Sequence, residues 1–243
     1  MKHALVIGAG PAGLMAAEEL VQSGLQVTVA EAKPSPARKF LMAGKSGLNL
    51  TKDEPFEAFV AAYDAPALRP MLEAFGPQDV IRWAETLEQE VFTGSSGRVF
   101  PRAMKASPLL RAWLKRLDAL GVELKTRHRW HGGTAFEAPQ GRVDLPADVT
   151  VLAMGGASWA RLGSDGAWAA QMPDLVARFK PANMGFAVNW SAHMEALFGA
   201  PVKQVELRAG GQNNRGRSGR NRRLCAASLG CSRQWWPCSS LAA

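Results

Sequence analysis

Cysteine is absent from this chain until Cys225, and no acidic residue follows Glu206. The three cysteines, Cys225, Cys231 and Cys238, are spaced by six and seven. That spacing fits neither a disulfide framework nor a common zinc pattern. A reducing, cytoplasmic compartment is the expectation. No apolar run approaches the ~20 residues that span a bilayer, so no membrane partner is expected. Met1-Lys2-His3 leads into a short apolar run, Ala4 to Ile7, and then glycines. A secretory signal needs a longer apolar region and a cleavage site. There is no internal repeat.

The formal net charge is +8, with 29 basic and 21 acidic residues. Taken alone, it points to an acidic partner such as nucleic acid. The distribution argues otherwise. Seven arginines follow Glu206: Arg208, Arg215, Arg217, Arg220, Arg222, Arg223 and Arg233. Without them 22 basic residues face 21 acidic ones, a net charge of +1. The tail from residue 211 to 243 is thus different material, rich in Arg, Asn, Ser, Cys and Trp. It reads either as a basic arm that touches nucleic acid or as sequence in a shifted frame. The charge, acid and cysteine discontinuities fall together, which favours the shifted frame, and no nucleic-acid partner is expected.

The length suits one large domain or two small ones, and 47% hydrophobic with 21% charged residues is ordinary for a globular protein. The first 31 residues read as one unit. Ala4-Leu5-Val6-Ile7 has the character of a buried strand, and Gly8-Ala9-Gly10-Pro11-Ala12-Gly13 follows at once. Leu14, Ala17, Leu20 and Val21 recur at helical spacing, Ser23-Gly24 ends that helix, and Val27-Thr28-Val29 is a second strand. This is a βαβ start. Gly8 permits the turn, Gly10 lets a pyrophosphate approach the backbone, and Gly13 lets helix and strand pack closely. Pro11 suits the first helical turn, whose free N–H groups and dipole attract phosphate. Glu31, 23 residues after Gly8, is placed to hold a ribose and to repel a 2′-phosphate. A glycine turn alone also occurs in other α/β proteins. Strand, helix, second strand and acid in register point to dinucleotide binding. No second GxGxxG occurs.

Residues 32 to 51 are a long connection with little periodicity, and Ala43-Gly44-Lys45-Ser46-Gly47 makes it glycine-rich and polar. Such loops tend to be functional. This loop and the fingerprint's extreme N-terminal position lean toward FAD rather than NAD. Residues 53 to 90 read as mostly helical, and 107 to 120 as an amphipathic helix with Leu109, Leu110, Trp113, Leu114, Leu117 and Leu120 as its apolar stripe. Residues 122 to 126 alternate like a strand, a β-meander follows to Val143-Asp144-Leu145, and Val149 to Ala153 reads as a further buried strand. Phe186-Ala187-Val188 and Val202 to Leu207 are candidate strands of a second domain.

Five segments carry a resemblance: VIGAGPAGLMAAEEL, then Glu31, ARKFLMAGKSGLNLT at 37 to 51, GRVFP at 97 to 101, and LAMGGASWARLGSDG at 152 to 166. They resemble the aminoacetone-oxidase-like, or bile-acid-reductase-like, NAD(P)/FAD-dependent oxidoreductases of bacteria, within the glutathione-reductase-like superfamily. The likeness covers roughly residues 3 to 210. It implies an α/β, Rossmann-like FAD-binding domain interrupted by a β-rich inserted domain. Residues 1–183 would be the FAD domain's N-terminal part, 184–210 the start of the insertion, and 211–243 the anomalous tail. In much of the family the long loop has a Gly-Gly-Arg-Cys-Asn core, where this chain has Lys45-Ser46-Gly47-Leu48-Asn49. The resemblance also implies a C-terminal part that returns to close around the flavin. The chain is expected to lack it and to show weak or absent activity.

Cofactor-binding candidates are therefore the whole fingerprint, Glu31 with Ala32, Lys39, and the loop residues Gly44, Lys45, Ser46, Gly47 and Asn49. Ala153, Gly155 and Gly156 belong to a turn that passes near the cofactor by resemblance. Trp130 offers backbone contacts to adenine or is a packed aromatic. Arg98 and Arg102 flank Val99-Phe100-Pro101 and face either a ligand or solvent. His128 and His131 lack partners at a metal spacing, so no metal is expected. The cofactor carries the redox step in a flavoprotein, so no catalytic side chain stands out. FAD is the expected cofactor, NAD(P)H a candidate electron donor, and a small molecule the expected substrate.

Overall fold

The computed structural model describes residues 1–44, 47–180 and 191–197, and the pairs 201–202, 208–209, 212–213 and 224–225. The chain divides into two compact units, Met1–Lys180 with Ser239–Ala243, and Pro181–Cys238.

The first unit begins with β1 (His3–Ile7), α1 (Pro11–Gln22) and β2 (Gln26–Glu31). A short α2 (Arg38–Ala43) and β3 (Thr51–Lys52) follow, then α3 (Phe56–Val60), α4 (Arg69–Ala74) and α5 (Pro77–Thr86). Next come β4 (Val91–Thr93), β5 (Arg98–Pro101) and α6 (Ala106–Ala119). The described part of the unit ends with β6 (Glu123–Thr126), β7 (Arg129–Trp130), β8 (Ala135–Ala138), β9 (Gly141–Asp144), β10 (Val149–Leu152) and two 3-10 turns.

Four strands form a parallel sheet in the order β10-β1-β2-β6. Val6 pairs with Val29 on one side and Val151 on the other. Side chains alternate across a strand, and β1 and β2 show it. Ala4, Val6, Val27 and Val29 join the core shared with Leu14, Ala17, Leu109, Trp113 and Leu117 of α1 and α6. Leu5, Ile7 and Ala30 join a second core around Phe136. That second core belongs to the antiparallel meander β7-β8-β9. Both faces of the central strands are covered, which is why they read as unbroken apolar runs. This is the Rossmann-like α/β architecture with a βαβ start and a meander. Three strands, β3-β5-β4, form a further small sheet.

Three local expectations are corrected. β10 is an edge strand rather than a buried one, with Val149 41% and Leu152 43% exposed. Among the described residues only β1 pairs with it, so half of its backbone and much of its side-chain surface gain no neighbour there. The long connection after Glu31 contains α2. Six residues show no helical period, and Ala37 before it offers no side-chain cap. The helix starts there because Ala37 adopts a left-handed φ of 53° and donates its N–H to Ala9 O at 2.8 Å. In α6, Leu120 of the expected stripe is 40% exposed, beyond the helix's last residue.

In the second unit, Pro201–Val202 pairs antiparallel with Leu224–Cys225, and Arg208–Ala209 with Gln212–Asn213. The expected strand at 186–188 and residues 203–207 lie outside the described residues, as does most of the tail. Among the described residues no helix is long and apolar enough to cross a membrane.

Candidate active site: a cavity at the ends of the parallel strands

β1, β2 and β10 all end at one cavity of about 560 Å³, lined among others by Ile7, Ala30 and Ala153. Ligands of α/β sheets bind at the carboxyl ends of strands, and the volume suits a small molecule.

The fingerprint glycines divide their work. Gly8 turns the chain with φ +108°, and a Cβ there would lie 2.5 Å from Ala153 O. A Cβ on Gly13 would lie 1.8 Å from Gly8 O, so α1 and the turn are in backbone contact. Nothing lies within 4 Å of a Cβ built on Gly10. Gly8 and Gly13 therefore serve packing, while Gly10 leaves open space in the cavity beside Pro11 and Ala12. The N–H groups of the first helical turn have no intrahelical acceptor. With Pro11 at N1, those of Ala12 and Gly13 are the donors this turn can offer to an anion.

Glu31 closes β2 and is held rigidly. One carboxylate oxygen accepts Ala9 N–H at 3.0 Å, the other Lys33 N–H at 2.8 Å. Its backbone oxygen accepts His128 N–H at 2.9 Å. Each carboxylate oxygen keeps acceptor capacity, and Glu31 lines the cavity. Ala9 is buried, so its part is the bond that orients Glu31.

The opposite wall comes from α2 and from residues 153–171. Lys39 Nζ donates to Ser158 Oγ at 2.7 Å and Ser164 Oγ at 3.1 Å, and burial pushes its pKa down. Ser164 Oγ donates to Gly156 O at 2.6 Å, and Trp168 Nε1 to Gly155 O at 2.9 Å. Trp130 on β7 lines the cavity and donates Nε1 to Gly133 O at 2.9 Å, while its ring packs against the Phe136 core. Arg129 pairs with Asp165 at 3.4 Å, linking β7 to the far wall.

Of the expected residues, the cavity brings together Gly8, Gly10, Pro11, Ala12, Glu31, Ala32, Lys39, Trp130, Ala153 and Gly155. Gly156 stands behind it through Ser164. Gly44 does not line it; a Cβ there would lie 2.3 Å from Ala106 Cβ, so Gly44 is where α2 meets α6. Gly47, with φ +127°, lies against Met104 and Phe100, and Asn49 is exposed; neither lines the cavity. Lys45 and Ser46 lie outside the described residues. Arg98 is exposed and Arg102 pairs with Glu90 at 3.2 Å, both away from the cavity.

Sequence reasoning passed over Arg38, Phe40, Ser164, Asp165 and Trp168 as cavity residues, and gave His128 and His131 no ligand role. Arg38 had a visible signal, its place beside Lys39. Ser164 had only its place in the resembling segment 152–166, and Trp168 had none, because tertiary folding brings residues 155–171 against α2. Among the described residues no cluster of His, Cys, Asp or Glu could hold a metal ion.

Comparison with known proteins adds the family. Solved structures similar in fold include THI4 of Thermovibrio ammonificans, at 12% identity and TM-score 0.43, covering 71% of this chain and 63% of that one. The open conformation of a flavocytochrome c3 fumarate reductase shows 19% identity and TM-score 0.48, covering 64% of this chain and 34% of that one. A 3-ketosteroid dehydrogenase from Rhodococcus jostii shows 15% identity and TM-score 0.43, covering 64% of this chain and 46% of that one. The chain thus spans between about a third and just under two thirds of these relatives' lengths. No curated protein matches it. A family model matches residues 2–185, which include every strand and loop that forms the cavity, and the chain belongs to that family, the HI0933-like protein Rossmann domain.

Proposed function

We propose that the cavity binds FAD and that the protein is a flavin-dependent oxidoreductase acting on a small organic molecule. The observation that carries this is the open space at Gly10, in a cavity shared with the start of α1 and the Glu31 carboxylate. A diphosphate fits beside Gly10, where its oxygens would accept N–H groups of the first turn of α1. Glu31, already fixed by Ala9 and Lys33, would accept ribose hydroxyls and disfavours a 2′-phosphate. Trp130, His128 and His131 line the cavity on the β7 side and would border the adenine.

When bound, the flavin supplies hydride and electron transfer, with NAD(P)H or the substrate as donor and an organic molecule, such as one with a conjugated double bond, as acceptor. The family resemblance suggests this acceptor class. The cytoplasm is the proposed compartment.

The test is FAD titration of the purified chain, read by quenching of flavin fluorescence. Saturable uptake is expected, with at least a tenfold loss in Gly10→Val and an unchanged circular dichroism spectrum. A folded wild-type chain that takes up no FAD, or a Gly10→Val protein that binds as well, overturns the reading. NADH oxidation by the loaded protein then separates an enzyme from a protein that only holds the nucleotide.

A further inference from the structure

Among the described residues the parallel sheet has two edge strands, β6 and β10. An edge leaves a row of N–H and C=O groups unpaired, which is a template for another strand. Proteins blunt such edges with charge, proline or a bulge. β6 is blunted. It reads Glu123-Leu124-Lys125-Thr126, and the Glu123 carboxylate accepts from Lys125 Nζ and from Thr28 Oγ1 at 3.1 Å. A strand arriving there would strip water from both charges. β10 has none of these devices. It reads Val149-Thr150-Val151-Leu152, without charge or proline. Its register with β1 runs unbroken from Ala4 opposite Val149 to Ile7 opposite Leu152, so it has no bulge.

The side chains of β10 also differ from those of a solvated edge. Alternation puts Val149 and Val151 on one face, Thr150 and Leu152 on the other. Val151 packs against the core that holds α1. Val149 and Leu152 are exposed, one on each face. Apolar side chains on both faces are the pattern of a sheet interior.

We infer that β10 is a docking edge whose occupant is β10 of a second copy of this chain, antiparallel about a two-fold axis perpendicular to the sheet. Such an axis keeps each face of the sheet on its own side, so residues lie opposite others of the same face. The register centred on Val151 sets Val151 against its copy, Thr150 against Leu152 and Val149 against Ala153. None of these pairs holds a charge, so none repels and none leaves an ion out of water. The register centred on Thr150 sets Leu152 against Asp148 and is disfavoured. One uncharged edge thus serves both sides of the contact, as a closed two-fold dimer requires. The two sheets join into one of eight strands, four from each copy. Two strands this short bury less than about 1,000 Å², so the dimer dissociates in the micromolar range or above. The pairing does not depend on what the cavity binds.

The experiment is sedimentation velocity of the full chain from about 1 to 200 µM, with a reductant present so that Cys225, Cys231 and Cys238 form no bridge between copies. The wild type is expected to pass from monomer to dimer over that range. Val149→Lys and Thr150→Lys should each raise the dissociation constant at least about tenfold. Both positions are exposed, so circular dichroism and Tm should stay close to wild type. Leu124→Lys, on β6, should dimerise as the wild type does. Amide exchange at residues 149–152 should slow with concentration in the wild type and not in Thr150→Lys. A wild type that stays monomeric overturns the proposal. So does a dimer that both lysine variants of β10 leave intact, or one that Leu124→Lys also abolishes. A monomer whose residues 149–152 exchange slowly at every concentration overturns it in favour of a strand from the same chain.

Discussion

Two carboxylates, one on helix α1 and one at the end of β2, are treated in opposite ways. On α1, Glu18 is 3% exposed and saturated. It accepts Trp113 Nε1 at 2.6 Å, Trp83 Nε1 at 3.4 Å and Arg116 Nη1 at 2.9 Å. The two indoles meet edge to face at 4.7 Å, and Arg116 also bonds Thr86. One acid thus ties α1 to α5 and α6. In front of the helix, Glu31 accepts two backbone N–H groups and still faces open space. Arg38, whose Nε is buried without a partner, and Lys39, bonded only to neutral serines, show the same spare capacity with opposite sign. Charge that is fully matched inside the protein holds the fold together. Charge that is oriented but unfinished is available to a ligand.

The sharpest way to break this comparison uses two glycines of the same turn. In Gly13→Val the new side chain meets Gly8 O, and at least about 3 kcal/mol of stability should be lost, enough to abolish the folded spectrum. Gly10→Val adds atoms to open space, so it should fold and lose only the ligand. Equal damage to the fold by both would mean that the cavity floor is ordinary core.

Glu18→Ala comes next. Removing one partner of a buried charge pair typically costs about 3–5 kcal/mol. At this chain length the Tm should fall by roughly 10 °C. Flavin affinity of the folded fraction should stay within about threefold. A Tm change below about 2 °C would show that the saturated cluster contributes little.

Glu31→Gln should give the reverse signature. FAD affinity should drop about 10- to 100-fold through loss of charged hydrogen bonds, with a stability cost of about 1 kcal/mol. Calorimetric unfolding with and without FAD separates the two effects.

Lys39 gives a pH dependence. Burial holds its folded pKa below the ordinary 10.5. The linked stability is therefore fully present above 10.5 and lost as the pH falls through the lower folded value. A bound anion favours the charged form, so FAD affinity should weaken as the pH rises through that lowered value. Lys39→Met should erase this alkaline limb.

The smallest effect is expected at Asp79, remote from the cavity. Its carboxylate accepts Gly76 N–H at 2.9 Å at the start of α5, and that bond, with help from Arg82, holds its pKa below the usual range. The stabilisation is present above the unfolded pKa of about 3.8 and lost as the pH falls through the lower folded value. Asp79→Ala should cost about 0.5–1 kcal/mol near neutral pH and leave FAD binding unchanged.

Much of this was legible in the chain because local rules operate there. The run at 4–7, the glycine turn and the spacing to Glu31 reproduce a βαβ unit whose hydrogen bonds and turns are largely made within some 30 residues. Alternation marked the strand at 122–126, and short strands after it were expected as a meander. The loop from Gly44 to Asn49 was less readable. Its glycines suggested a ligand, yet Gly44 is small because Ala106 presses on it. A glycine needed for close packing and one needed for a ligand look alike in a sequence. Arg38 and Ser164 lie 126 positions apart and share a wall only once α2 and the segment after β10 have docked.

The order of residues therefore determined the βαβ start, the turn at Gly8 to Gly13 and the acid that faces it, because spacing along one strand and one helix fixes those positions. Tertiary structure decided which glycine stays open, which carboxylate is saturated and which cations are left unfinished. Those outcomes depend on atoms brought together from distant segments, and no local period or motif records them.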